Sequence, residues 1–240
     1  MNFSIEPLKE PRGFLRIIQW VLSIFAFATT TSVNTMLGFE AKNCPPNTNP
    51  IRESVQVAYP FDLEHESYTT PLCRLDNSTI VNSALLQGSK SSAEFYVFVG
   101  VMVFLYCIAS VIIYLFFNNL YEDNKWPVVD FVLSAVFALL WLISSSAWAQ
   151  GVVNLKYFTD LDECGVFKSI SDCQAYGCTQ FQFPNFASLN VSIIFGFLNM
   201  VVWIANLWFL YKETPWFKAK QEANTSSPQQ QQTPTDPSRI

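Results

Sequence analysis

Residues 189–214 read LNVSIIFGFLNMVVWIANLWFLYKET, and from about Val191 to Tyr211 no charged side chain interrupts roughly 21 positions. A helix rises 1.5 Å per residue, so about 20 apolar residues cross a hydrocarbon core. Lys212 and Glu213 restore charge where a bilayer would end, and Pro215 follows as a helix stop. Three comparable stretches precede this one, at about 17–37, 95–117 and 127–149. An all-α integral membrane protein with four spanning helices is the expected fold class.

Composition agrees with that reading. Half of the 240 residues are apolar, 22 are Phe and only 14% are charged, against about a quarter in soluble domains. The net charge of −5 comes from scattered acids, so no nucleic-acid partner and no polybasic tether is expected. Lys9, Arg12 and Arg16 lead into the first apolar run as a signal n-region would. The run is longer than an h-region and lacks a small-x-small cleavage site, which predicts a retained helix.

The remaining segments follow. A polar arm occupies 1–16, loops occupy 38–94 and 150–190, and a hinge at 118–126 makes the second and third spans antiparallel neighbours. The Gln-, Pro-, Ser- and Thr-rich tail at 212–240 is expected to be disordered. Cations cluster before the first span and again at Lys212, Lys218 and Lys220, which predicts cytosolic termini. Lys42, Arg52, Arg74 and Lys90 in the first loop dilute that contrast, so the cysteines serve as an independent signal.

Cys44 and Cys73 lie in the first loop, Cys164, Cys173 and Cys178 in the second, and only Cys107 in a span. Such a partition fits loops in an oxidising lumen. A Cys44–Cys73 bridge would add roughly 3–4 kcal/mol by chain entropy. The second loop has an odd count; Cys173–Cys178 with Cys164 free is the favoured pairing, with free thiols the alternative in either loop. Zinc is not expected, because His65 is the sole histidine. Asn77-Ser78-Thr79 is a glycosylation sequon on the expected lumenal side. Val55, Val57 and Tyr59, and Phe181 and Phe183, alternate with other residues, so the loops read either as short β-strands or as plain anchoring segments.

Small and polar residues recur on one face of each span. They are Gln19, Ser23, Ala26 and Thr30; Gly100, Cys107, Ser110 and Tyr114; Asp130, Ser134, Trp141, Ser145 and Trp148; and Gly196, Asn199, Trp203 and Asn206. Helices in lipid associate through such faces, so these stripes are expected to form the inward seams, a pore or carrier lining being the alternative. Asp130 is the one acid clearly inside a span. An ionised carboxylate there needs a partner, for which Arg12, Arg16 and Lys125 are within reach, or else it snorkels. There is no Gly-x-Ser-x-Gly, no histidine metal motif and no phosphate loop, so no enzyme chemistry is expected. Leu115, Tyr121 and Lys125 fit a loose sterol-contact pattern.

Several phrases carry a resemblance. They are Lys9-Glu10-Pro11-Arg12-Gly13-Phe14, IFAFAT at 24–29, Tyr59-Pro60-Phe61, SSAEFYV at 91–97, WLISSSAWA at 141–149, and LNVSIIFGFLN with NLWFLYKET in the last span. Over about residues 7–214 the chain resembles the synaptophysin family of tetraspan vesicle proteins. The resemblance implies a MARVEL-type bundle with two disulfide-containing lumenal loops, location in transport or synaptic-like vesicles, a synaptobrevin-type vesicle SNARE as partner, cholesterol as a bound lipid, and homo-oligomers. Three features depart from the family: a tail without Tyr-Gly repeats, Ala28-Thr29-Thr30-Thr31 where the family has a Cys-Gly pair, and a third cysteine in the second loop. The function expected is non-enzymatic organisation of SNARE and sterol-rich membrane in trafficking or exocytosis. The alternative is a channel or transporter formed by the oligomerised bundle.

Overall fold

The computed structural model describes residues 11–42, 44, 50–70, 73, 81–84, 88–116 and 126–225. In chain order the first half comprises α1 (Pro11–Thr31), β1 (Asn34–Ala41), β2 (Ile51–Ala58), β3 (Ser67–Thr70), β4 (Val81–Ala84) and α2 (Lys90–Phe116). The second half comprises α3 (Trp126–Thr159), the short α4 (Val166–Ser169) and α5 (Ser171–Tyr176), β5 (Cys178–Gln182), α6 (Ala187–Glu213) and α7 (Pro215–Thr225). Within α1, α2, α3 and α6, the segments Gly13–Thr31, Lys90–Phe116, Trp126–Thr159 and Ala187–Lys212 are long and apolar enough to cross a membrane.

These four helices close a ring, with α1 against α2 and α6, and α3 against α2 and α6. The cause is visible in the sequence. Gln19, Ser23, Ala26 and Thr30 are buried, while Phe98, Leu105, Leu139, Ile143, Ile194 and Val201 are turned outward. In a bilayer that polarity suits the protein, because lipid solvates the apolar faces and only internal contacts satisfy the polar ones.

All four spans differ in their bounds from the sequence expectation, α2 beginning at Lys90 rather than about 95 and α6 at Ala187 rather than about 191, and three differences are larger. The first helix covers Pro11–Thr31 rather than about 17–37. It starts at a proline, which suits the first helical position, and it takes in Arg16 from the presumed arm. Its expected last residues are instead strand: in β1, Leu37, Phe39 and Ala41 are buried and Asn34 and Met36 exposed, a period of two that a hydropathy sum does not register. The third helix runs to Thr159 rather than 149, a length of about 50 Å, so its last turns leave the hydrocarbon core. The tail expected to be disordered from Lys212 carries α7, and residues 226–240 lie outside the described residues.

Over the end of the bundle where α1 finishes sits a cap. Its antiparallel sheet has the order β2-β1-β5, with Leu37 opposite Val55 and Thr35 opposite Val57. The β1–β5 register shifts at Gly38/Phe39, and a Cβ at Gly38 would stand 2.7 Å from the Phe181 ring. β3 and β4 form a separate antiparallel pair. Cys44–Cys73 and Cys173–Cys178 are bonded, whereas Cys107 and Cys164 are free. The cap core joins the bundle core where Phe61 lies 5.5 Å from Trp148. Beside it Asp62 receives Lys90 Nζ at 2.9 Å and pairs with His65 Nδ1 at 2.8 Å.

Two outcomes follow from this packing. A methyl at Gly196 would lie 2.8 Å from the Tyr96 ring and collide with Ser145 Oγ, whereas one at Gly100 meets only Phe27 at 3.2 Å. Gly196→Ala is expected to cost about 1–3 kcal/mol by overpacking and to lower the detergent melting point well below that of Gly100→Ala; equal melting points would contradict the tight contact. The hydrogen bond with His65, then that from Lys90, holds the Asp62 carboxyl below its ordinary value of 3.8. A depressed carboxylate stabilises above the unfolded value and ceases to as pH falls through the folded one. Amide exchange at 62–66, corrected for intrinsic rate, should therefore rise as pH falls below about 4, a step that Asp62→Asn should remove.

Candidate functional site

Five residues into α1, Arg16 is wholly buried. Its Nη2 donates to Asp130 Oδ1 and, at 2.9 Å, to Ser134 Oγ, while Nη1 donates to Gln19 Oε1 at 3.0 Å. Asp130 lies one turn into α3 and accepts two further bonds from α2, Tyr106 Oη to Oδ1 and Tyr114 Oη to Oδ2 at 2.6 Å. The guanidinium carbon lies against two neighbouring rings, 5.0 Å from the Tyr106 centroid and 4.9 Å from that of Trp203 on α6, whose centroids are themselves 6.0 Å apart. All four spanning helices thus meet at one cation.

The residue types explain the site. Guanidinium is planar, permanently charged and weakly hydrated, so it lies against aromatic rings while its edges bond. An ion pair in a low-dielectric interior repays its desolvation only when the remaining lone pairs and protons are also satisfied. Here the two tyrosines donate to both oxygens of the carboxylate, and Gln19 and Ser134 accept from the two terminal nitrogens of the cation, while Arg16 Nε and Gln19 Nε2 are buried without a partner. The arrangement can hold two elements together strongly; among the described residues no group of three or more His, Cys, Asp or Glu could bind a metal.

A second polar cluster lies toward the cap. Tyr96 donates to the Ser192 carbonyl and Trp148 Nε1 to Ser192 Oγ at 2.9 Å, so α2, α3 and α6 meet there too. Ser89 Oγ bonds the Gly151 carbonyl at 2.7 Å. Between the clusters, Asn199 Nδ2 bonds only its own helix, at the Phe195 carbonyl, and beyond Trp203 neither side-chain polar atom of Asn206 has a partner.

The structure therefore places Asp130, Gly196, Asn199, Trp203 and Asn206 inside the bundle. Of these it joins Asp130 and Trp203 through Arg16 and leaves the two asparagines apart. Of the three cations considered for Asp130, Arg16 is the partner; the Arg12 side chain and Lys125 lie outside the described residues. So do Asn77 and Tyr121, while Leu115 is half-buried near the end of α2. Tyr106 was missed by the sequence reading. Its signal was the hydroxyl spacing Tyr106, Ser110, Tyr114, which at intervals of four marks one helical face.

Removing one partner leaves the other charge buried, so Asp130→Leu or Arg16→Leu alone is expected to cost about 3–5 kcal/mol. The double variant should cost much less than the sum. Unfolding of the four proteins in the same detergent checks this, and strict additivity would mean that the two residues are not coupled.

Compared with known protein families, residues 7–209 match MARVEL, described as a membrane-associating domain. With four apolar helices in a closed bundle and the match extending over most of its length, the chain is a multi-pass membrane protein that belongs to the MARVEL family.

Proposed function

We propose that this protein is a non-enzymatic organiser of vesicle membrane, of the synaptophysin type and nearest to its short-tailed pantophysin branch. Its bundle gathers a single-span, synaptobrevin-type SNARE and sterol-rich lipid, and assembles with further copies of itself, in support of trafficking or exocytosis. The termini face the cytosol and the disulfide-bonded cap faces the lumen.

One observation carries the reading: the interior of the bundle is already occupied. Trp141, Trp148, Trp203, Tyr96 and Arg16 are fully buried and in contact with one another or with neighbouring side chains. A route for solute through one bundle would have to displace them, and the ionised groups there are committed to each other. What remains for function is the outer surface, where apolar side chains of all four helices face lipid and any helix dissolved in it. The membrane-associating family match supports the same assignment.

Cross-linking in native vesicles followed by purification in mild detergent tests it. A synaptobrevin-type SNARE is expected in the cross-linked product, together with oligomers of this chain. Recovery of monomer alone, without a SNARE at any detergent stringency, would refute the reading.

A further inference from the structure

At the end of α6 the chain turns through a built junction. Thr214 leaves helical geometry at φ −64°, ψ 145°, the extended conformation favoured before proline, and Pro215 then opens α7. Thr214 is buried; its hydroxyl and its amide both donate to the Tyr211 carbonyl, at 2.7 and 3.2 Å. The Phe217 amide bonds the Thr214 carbonyl at 3.2 Å, and the Phe217 ring meets Tyr211 edge-on at 5.4 Å. These contacts fix α7 at a bend beside the last turn of α6.

The side chains around this bend are poorly suited to water. Trp208 and Trp216 are each 59% exposed. Lys212 Nζ stands 5.2 Å from the Trp208 ring centroid, and Trp208 stacks on Tyr211 at 6.5 Å. On α7, Trp216, Ala219, Lys220 and Ala223 fall at the spacing of one helical face, and all four are exposed. The lipid-facing residues Val201 and Ile204 of α6 lead directly to Trp208, so the surface is continuous with the one that the bilayer already covers. Indole rings prefer the depth of the headgroups, and lysines there extend their ammonium groups outward to the phosphates.

We propose that α7 lies in the membrane interface at the end of the bundle opposite the cap, with Trp208 and Trp216 at the boundary of acyl chains and headgroups. Lys212 and Lys220 contact acidic phospholipid there. The occupant of this face is the leaflet itself, selected for negative headgroups by the two ammonium groups. The inference depends on the spanning role of α6 and is independent of the vesicle and SNARE assignment.

The full chain carrying Ala219→Cys in a Cys164→Ser background, labelled with a nitroxide and placed in nanodiscs, tests this. Discs of phosphatidylcholine alone are compared with discs that also contain phosphatidylserine. In the acidic discs, oxygen should reach the label and a water-soluble nickel chelate should not. Replacing Lys212 and Lys220 by Gln should shift the label toward water, by roughly fivefold in the interface-to-water ratio per lysine. A label equally open to nickel in both discs would overturn the proposal, as would insertion that responds neither to phosphatidylserine nor to the lysines. Shielding from both reagents would assign the face to a protein contact instead, and would overturn it too.

Discussion

A charge inside a hydrocarbon slab has to be neutralised by the protein that carries it, and the Arg16–Asp130 pair meets that constraint with groups from every spanning helix. The consequence reaches beyond the pair. Apolar surface hardly distinguishes a neighbouring helix from lipid, so hydrophobic burial alone does not specify which faces of the four helices meet. A guanidinium that must meet Tyr106 and Trp203 while bonding Asp130 and Ser134 does specify them, because rotating α1, α2 or α3 strands a polar group in an apolar medium and rotating α6 takes the Trp203 ring from the cation. The cost of the alternatives, rather than the worth of the pair, gives the site its influence on the fold.

The other end is held by different means. α3 continues past the membrane to Thr159 and contributes Val152 and Leu155 to the cap core. Gln180 on β5 bonds the Thr159 carbonyl and the Leu161 amide, which ties the sheet to that extension. The Cys73 amide bonds Asp172 at 3.0 Å, so the loop closed by the first disulfide rests on the helix that carries the second. A cap of this size has too little apolar surface to be stable by burial alone, and cross-links limit its unfolded state. Because the Phe61–Trp148–Tyr96 stack runs from cap to bundle, the cap is an extension of the membrane domain rather than a separate module.

Much of this was legible in the sequence, for reasons that also explain what was not. Length and hydropathy identify the spans because lipid imposes one requirement on all of them. The stripe residues were readable because 3.6-residue spacing is local. β1 was not, since Leu37 and Phe39 add to a hydropathy sum whatever their period. Nor was the end of α3, where polarity rises at Gln150 although the helix continues into the cap. The partner of Asp130 was narrowed to three cations and no further: sequence gives depth along a helix, whereas choosing Arg16 requires the rotation of α1 about its axis. Tyr106 escaped because the stripe through Ser110 and Tyr114 was continued to Cys107 instead of to position 106, one step round the same helix.

Neither the stretch between the two polar clusters nor the Arg16 end is fully bonded. Trp141 Nε1, Ser145 Oγ and Asn199 Oδ1 are buried without partners between the clusters, as are Trp203 Nε1, both polar atoms of Asn206, Arg16 Nε, Gln19 Nε2 and Trp20 Nε1 toward the Arg16 end. Each such group costs roughly 1–3 kcal/mol relative to a bonded one, so these residues cannot be what holds the middle together. Close approach must do that instead: Gly196 lets Tyr96 and Ser145 pack against the α6 backbone, and Phe137, Tyr106 and Trp203 interlock at 4.9 to 6.0 Å. The bundle is therefore fixed in register by hydrogen bonds near its two ends and in separation by packing between them. That division explains why the smallest residue in the opening stretch is hard to replace: at Gly196 an added methyl would stand 2.8 Å from Tyr96 and collide with Ser145 Oγ, with no room for the added volume.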